Sequence, residues 1–275
     1  MPHFTAPDGI RLWYEEAGEG LPLLCLSGLT RNARDFDFVA PHLAGVRMIR
    51  MDYRGRGKSD WSPPETYDVG VEMRDALALL DLLGIDKVAV LGTSRGGLIG
   101  MMMAATAKDR LMGLALNDVG AEVNGAGLQA IRDYIGRDPA QKSVEEAAAF
   151  RQQANATAFP GVPLDRWMAD VRNTTRDTPE GLKINYDPAL AAVVTAGPEV
   201  AETIALWPLF DAVAPLPCAV IHGVNSDLLT DATVSEMARR NPDLIVAEVP
   251  DRAHIPFLDE PEALAALTAW LEQMK

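Results

Sequence analysis

The chain has 275 residues, 48% hydrophobic and 23% charged, a balance that suits a folded protein with a large core and excludes a disordered one. Its formal net charge of −14 works against nucleic acid and anionic lipid surfaces, which reward clustered Lys and Arg, so a small-molecule substrate is expected and a nucleic-acid partner is not. Met1 to Asp8 lack the basic and apolar stretches of a secretory signal, and no apolar run is long enough to span a bilayer. A cytoplasmic protein without membrane association is the expectation.

In chain order, His3-Phe4-Thr5 and Ile10 to Tyr14 flank Asp8-Gly9, which supplies the positive φ angles of a tight hairpin turn. Leu21 to Leu26 and Val46 to Met51 are apolar runs of the kind found in strands covered on both faces, with a short helix expected between them over Asp35 to Leu43. Tyr67 to Leu83 has helical spacing, with Val71, Ala78, Leu79, Leu82 and Leu83 on a common side and Gly84 at the stop position. A strand at Lys87 to Leu91, a helix from Ser94 to Ala107 and a strand at Leu111 to Asn117 continue the alternation. It resumes with a strand at Cys218 to His222, a helix from Thr230 to Arg240, a strand at Ile245 to Val249 and a helix from Pro261 to Met274. Repeated β-α-β units imply an α/β fold with a mostly parallel central sheet flanked by helices on both faces.

Residues 122–206 break this rhythm, being rich in Ala, Gln, Asp, Arg and Pro without a convincing buried strand. They read as a helical insert between the sixth and seventh core strands, leaving 1–121 and 207–275 as the core. Such an insert would lie over the carboxyl ends of the strands, where ligands bind in open α/β sheets, and act as a cap or merely cover apolar surface.

Cys25 and Cys218 sit in apolar strands and behave as small hydrophobes. His3, His42, His222 and His254 lack the spacing of a zinc site, so neither a metal nor another cofactor is expected. Chemistry concentrates instead at Gly92-Thr93-Ser94-Arg95-Gly96-Gly97, a G-x-S-x-G directly after one buried strand and directly before a helix. A nucleophile elbow holds its serine in a strained turn whose neighbours two residues away must be small, and Gly92 and Gly96 are. Serine needs a base to take its proton. In the chain order of this architecture the base comes last, which selects His254, in the loop after the last strand; His222, inside an apolar strand, reads as structural.

Together with the loop Asp52-Tyr53-Arg54-Gly55-Arg56-Gly57-Lys58-Ser59 and the turns at Ser27-Gly28 and His254, this elbow resembles those of the α/β-hydrolase-fold superfamily across nearly all of the chain outside the insert. The resemblance implies a structural role for the Asp52 to Ser59 loop, with Arg54, Arg56 and Lys58 facing solvent or tying it down. It also implies an oxyanion hole formed by the backbone amides of Arg95 and Leu29, the latter in Ser27-Gly28-Leu29 where relatives often have His-Gly. Two positions for the triad acid are known in the fold. One lies three residues after the glycine ending the seventh strand, and counting from Gly223 lands on Ser226, with Asp227 one residue late; the other, at the end of the sixth strand, holds Asp118. Position alone puts Asp118 ahead of Asp227.

The expected activity is therefore that of a serine hydrolase cleaving a small carboxylester, lactone, thioester or activated amide through an acyl-enzyme on Ser94. Serine at the elbow argues against haloalkane dehalogenase and epoxide hydrolase chemistry, for which the family uses aspartate. Two alternatives stay open: hydrolysis of a carbon–carbon bond in a ring-cleavage product, and a small-ligand receptor on a hydrolase scaffold.

Overall fold

A computed structural model of the chain describes residues 2–195 and 203–275. Its strands are β1 (His3–Thr5), β2 (Arg11–Ala17), β3 (Leu21–Leu26), β4 (Val46–Met51), β5 (Val88–Thr93), β6 (Leu111–Asn117), β7 (Glu122–Val123), β8 (Thr175–Thr178), β9 (Gly181–Ile184), β10 (Ile204–Ala205), β11 (Cys218–Gly223) and β12 (Ile245–Val249). The helices are α1 (Val69–Leu82), α2 (Arg95–Thr106), α3 (Gly125–Tyr134), α4 (Val144–Ala154), α5 (Leu164–Thr174), α6 (Ala191–Thr195), α7 (Trp207–Asp211), α8 (Asp231–Arg240) and α9 (Pro261–Glu272).

Eight strands form one sheet in the order β1-β2-β4-β3-β5-β6-β11-β12. The β1–β2 hairpin adds antiparallel to β4, and every other pairing is parallel. Alternate residues of the central strands divide between two cores. Val88 and Val90 of β5 join the core that includes α1 and α2, whereas Ala89 and Leu91 join the one that includes Phe36, Val39 and α9. Both faces are thus covered, which is why these strands read as unbroken apolar runs.

Three local expectations need correction. Asp35 to Leu43 is not one helix but two short 3-10 turns, Ala33–Phe36 and Ala40–His42; Asn32 caps the first, and Pro41, which lacks an N–H, sits in the second. The buried stripe of α1 is Glu72, Asp75, Ala76, Leu79 and Leu80, not the expected row, and Leu82 is exposed. Two carboxylates replace apolar residues on that stripe because arginines meet them there. Residues 122–206 are not wholly helical either: β8 and β9 form an antiparallel hairpin, and β7 pairs with β10. The hairpin escapes a sequence pattern because β8, Thr-Arg-Asp-Thr, is polar on both faces. Beyond β9, Asn185 to Asp187 pair with the Gly55 to Gly57 loop through Gly57 N–H to Asn185 O and Asp187 N–H to Gly55 O.

Candidate active site

The turn between β5 and α2 puts Ser94 at φ +51°, ψ −115°, a conformation that non-glycine residues rarely adopt. Tight packing enforces it. A Cβ at Gly96 would lie 2.0 Å from the Leu26 carbonyl oxygen, and one at Gly92 would lie 2.5 Å from the Gly96 backbone. Only glycine at both places lets α2 close onto the strands and lift the serine above the sheet edge.

Three side chains converge on that edge from distant parts of the chain. Ser94 Oγ lies 3.0 Å from His254 Nε2, and His254 Nδ1 lies 2.8 Å from Asp118 Oδ2. Asp118 is fully buried, and because a carboxylate only accepts, Nδ1 donates to it and Nε2 is left to accept the serine hydroxyl proton. The parallel pairing of β6 with β11 sets Asp118, at φ +52°, against the end of β11, where its Oδ1 accepts from Gly223 N–H at 2.9 Å. Its Oδ2 also accepts from the Ser226 hydroxyl at 2.6 Å.

Ser94, His254 and Asp118 are therefore brought together, and Asp227 is not. Asp227 is exposed, and both imidazole nitrogens already have other partners. Ser226 was missed by sequence reasoning, although counting from Gly223 lands on it; a hydroxyl there gives no sign that it serves a carboxylate on the neighbouring strand. His222 is buried, with Nε2 donating to the Leu229 carbonyl at 3.0 Å.

The two amides expected to form an oxyanion hole flank the serine. Neither Leu29 N–H nor Arg95 N–H, the latter in the first turn of α2, has an acceptor among the described residues. Both loops are braced by one buried network. Arg56 Nε donates to the Leu29 carbonyl at 2.8 Å and its Nη1 to Glu72 Oε1 at 2.7 Å, while Arg95 Nε donates to Glu72 Oε2 at 2.6 Å. Glu72 has no solvent exposure, and Arg95 further donates to the Tyr67 carbonyl. Burial holds the Arg56 guanidinium below its ordinary pKa despite the opposing pull of Glu72. The loop that carries Leu29 is thus braced by Arg56. Arg54 is likewise buried, in a bidentate pair with Asp75, so these two arginines tie the loop down and do not face solvent. Lys58 is exposed, with its ammonium 4.0 Å from the centre of the Trp13 ring.

A small cavity of about 80 Å³ opens above Ser94, lined by Leu29, Arg31 and His254 from the sheet side and by Ile131 and Tyr134 of α3. Arg31 joins this wall to the helices above it: Nε donates to both Asp35 oxygens at 2.8 and 3.0 Å, and Nη2 donates to Asp170 of α5 at 2.7 Å. Asp170 also pairs with Arg151 of α4. Burial pushes Asp35 up to about 6 even against the attraction of Arg31. Burial works to raise Asp170 as well, yet Arg31 and Arg151 together hold it below the ordinary carboxylate value. Among the described residues no group of three or more His, Cys, Asp or Glu is arranged to hold a metal ion.

Comparison with known proteins agrees with this architecture. A model of the Alpha/beta hydrolase family matches residues 23–267. The chain belongs to this family. This alpha/beta hydrolase is 36% identical over 274 residues to a 3-hydroxybutyrate-oligomer hydrolase of Cupriavidus necator, covering 94% of the chain and 92% of the relative. It also superimposes on the crystal structure of an alpha/beta hydrolase from Novosphingobium aromaticivorans with a TM-score of 0.91 at 36% identity, over 99% of this chain and 97% of the other. A shorter match, 32% identical over 132 residues, is to lipase LipV of Mycobacterium tuberculosis and covers 46% of the hydrolase and 49% of the lipase. No helix among the described residues is long and apolar enough to cross a membrane.

Proposed function

We propose that this hydrolase cleaves a small ester through an acyl-enzyme on Ser94, with His254 as general base and Asp118 as the acid of the triad. The observation that carries the reading is the unbroken hydrogen-bonded chain from buried Asp118 through His254 to Ser94, at 2.8 and 3.0 Å. Ser94 Oγ attacks the ester carbonyl as His254 Nε2 takes its proton, and the tetrahedral oxyanion is held by the Leu29 and Arg95 amides. Each such donor is typically worth about 10²–10³ in turnover. Collapse breaks the C–O bond, and the departing alkoxide takes the proton from His254. Water then attacks the acyl-enzyme with His254 again as base, releasing the acid and returning the proton to Ser94.

Ester chemistry is favoured over the other acyl bonds because the relative from Cupriavidus necator, alike over nearly its whole length, is named for oligomers of 3-hydroxybutyrate. The small cavity suits a short substrate. We read residues 122–206 as a cap, since α3 contributes Ile131 and Tyr134 above the serine. We place the protein in the cytoplasm, where its two buried, unpaired cysteines stay reduced.

The test is covalent labelling by an alkyl fluorophosphonate alongside turnover of p-nitrophenyl butyrate and the 3-hydroxybutyrate dimer. One adduct on Ser94 and loss of both activities in Ser94→Ala are expected. An adduct elsewhere, or a Ser94→Ala variant with wild-type turnover, overturns the proposal.

A further inference from the structure

The wall of the cavity carries a cation that the acyl-transfer steps do not use. Arg31 lies two residues beyond the Leu29 amide and lines the same cavity as Ser94 and His254. Two of its three nitrogens are held: Nε by Asp35 and Nη2 by Asp170. Nη1 has no hydrogen-bond partner among the described residues. It is also absent from the buried atoms left without one, and 24% of the side chain is exposed, so this end of the guanidinium is still open to a visitor. With Nε and Nη2 pinned by carboxylates from two different elements, the fork has lost most of its freedom before any ligand arrives.

The rest of the molecule makes this cation conspicuous. A chain of net charge −14 repels anions in general, so an anionic substrate needs a local positive group to admit it. Among the described residues lining the cavity, Arg31 is the one Lys or Arg. Beside it stand two hydroxyl groups, because Tyr134 hydrogen-bonds Thr30, and Thr30 lines the cavity as well. One proton of that pair is spent on the other oxygen, which leaves a guanidinium N–H and one hydroxyl donor, a combination that receives a carboxylate.

Resting on the ester-hydrolase reading above, we propose that Arg31 Nη1 binds a free carboxylate of the substrate, so that the preferred substrates are short esters of hydroxy acids ending in a free acid and not neutral esters. The same contact makes the enzyme one that works at the acid end of a soluble oligomer. A chain whose carboxyl end is itself esterified offers Arg31 nothing to pair with.

The experiment compares the 3-hydroxybutyrate dimer with its methyl ester, which presents the same scissile bond without the charge. Wild type is expected to favour the free acid in kcat/KM by about 10- to 100-fold, the range of a hydrogen bond to a charged group, with most of the difference in KM. In Arg31→Gln this ratio falls to near one, and Arg31→Lys restores part of it. A wild-type ratio near one, or a ratio that survives Arg31→Gln, overturns the proposal. Removing Arg31 alone strips a partner from two buried carboxylates, so Arg31→Gln with Asp35→Asn, which removes one charge of each sign, is the companion variant and is read by the same ratio. If neither ester is turned over, the hydrolase reading fails, and calorimetric titration with 3-hydroxybutyrate then decides the role of Arg31 separately. Binding by wild type that is lost in the double variant supports the site; equal binding by both overturns it.

Discussion

The floor and the rim of the cavity are both built from buried charges, but they are finished differently. On the floor, Glu72 joins Arg56 and Arg95 with no exposure to solvent, and Asp118 is shared by Gly223, Ser226 and His254. On the rim, Arg31 is held by Asp35 and Asp170, and its Nη1 has no partner among the described residues. A sealed cluster can only hold backbone and side chains in place, because nothing reaches it. An open one retains an N–H donor that a ligand meets. The same residue types therefore divide into positioning and recognition according to what covers them.

The sharpest break in that comparison is at Asp118. Substituting asparagine keeps the shape but offers the imidazole an amide, and the comparable change in a serine protease lowers kcat by about 10⁴. We expect a loss of that order in Asp118→Asn, measured on p-nitrophenyl butyrate with folding checked by circular dichroism, and at most a twofold change in Asp227→Asn. Ser226→Ala, which deletes one hydrogen bond to the carboxylate, is expected to fall between them, at about tenfold. The order reversed at Asp118 and Asp227 sinks the assignment of the acid.

Glu72 tests the sealed floor as structure. Glu72→Gln leaves two buried arginines without their common counter-charge, and breaking a buried pair typically costs about 3–5 kcal/mol. A large drop in the midpoint of chemical denaturation is expected, with turnover per folded molecule falling as the Leu29 and Arg95 amides lose their bracing. Unchanged stability would show that the network is dispensable.

How much of this was legible in the sequence differs between the same two regions. The sheet announced itself, since Leu21–Leu26, Val46–Met51, Leu111–Asn117 and Ile245–Val249 are strands with the bounds the apolar runs suggest. The elbow was legible because its glycines answer a steric demand that no other residue meets. Glu72 was not, because a charged residue on a helix reads as solvated until its arginine partners, 16 positions before it and 23 positions after it, are seen beside it. The contact of Arg31 with Asp170 spans 139 positions and joins elements that no local pattern relates. Polar groups satisfied across long separations carry no periodicity, and so both networks emerged only from the fold.

The smallest expected effect concerns the two carboxylates on the rim, which respond to pH with opposite signs. Burial lifts Asp35 to about 6 from the ordinary carboxylate value of 3.8, so between those values the folded protein binds more protons than the unfolded one, and stability from this group falls as pH rises. Asn does not titrate, so Asp35→Asn should gain on wild type between about pH 4 and pH 6 and hold that gain above it. Asp170 is held below its ordinary value by Arg31 and Arg151 against burial, so its contribution is present above that value and is lost on acidification through the lower, folded one. Asp170→Asn should therefore be less stable than wild type at neutral pH, with the deficit shrinking only below about pH 4. Urea midpoints of the three proteins across pH 3 to 7 read both signs at once. Parallel curves for wild type and Asp35→Asn between pH 4 and 6 would mean that Arg31 neutralises both carboxylates alike. The guanidinium would then be shared evenly between its two struts, and the rim would be sealed in charge even though one nitrogen stays open.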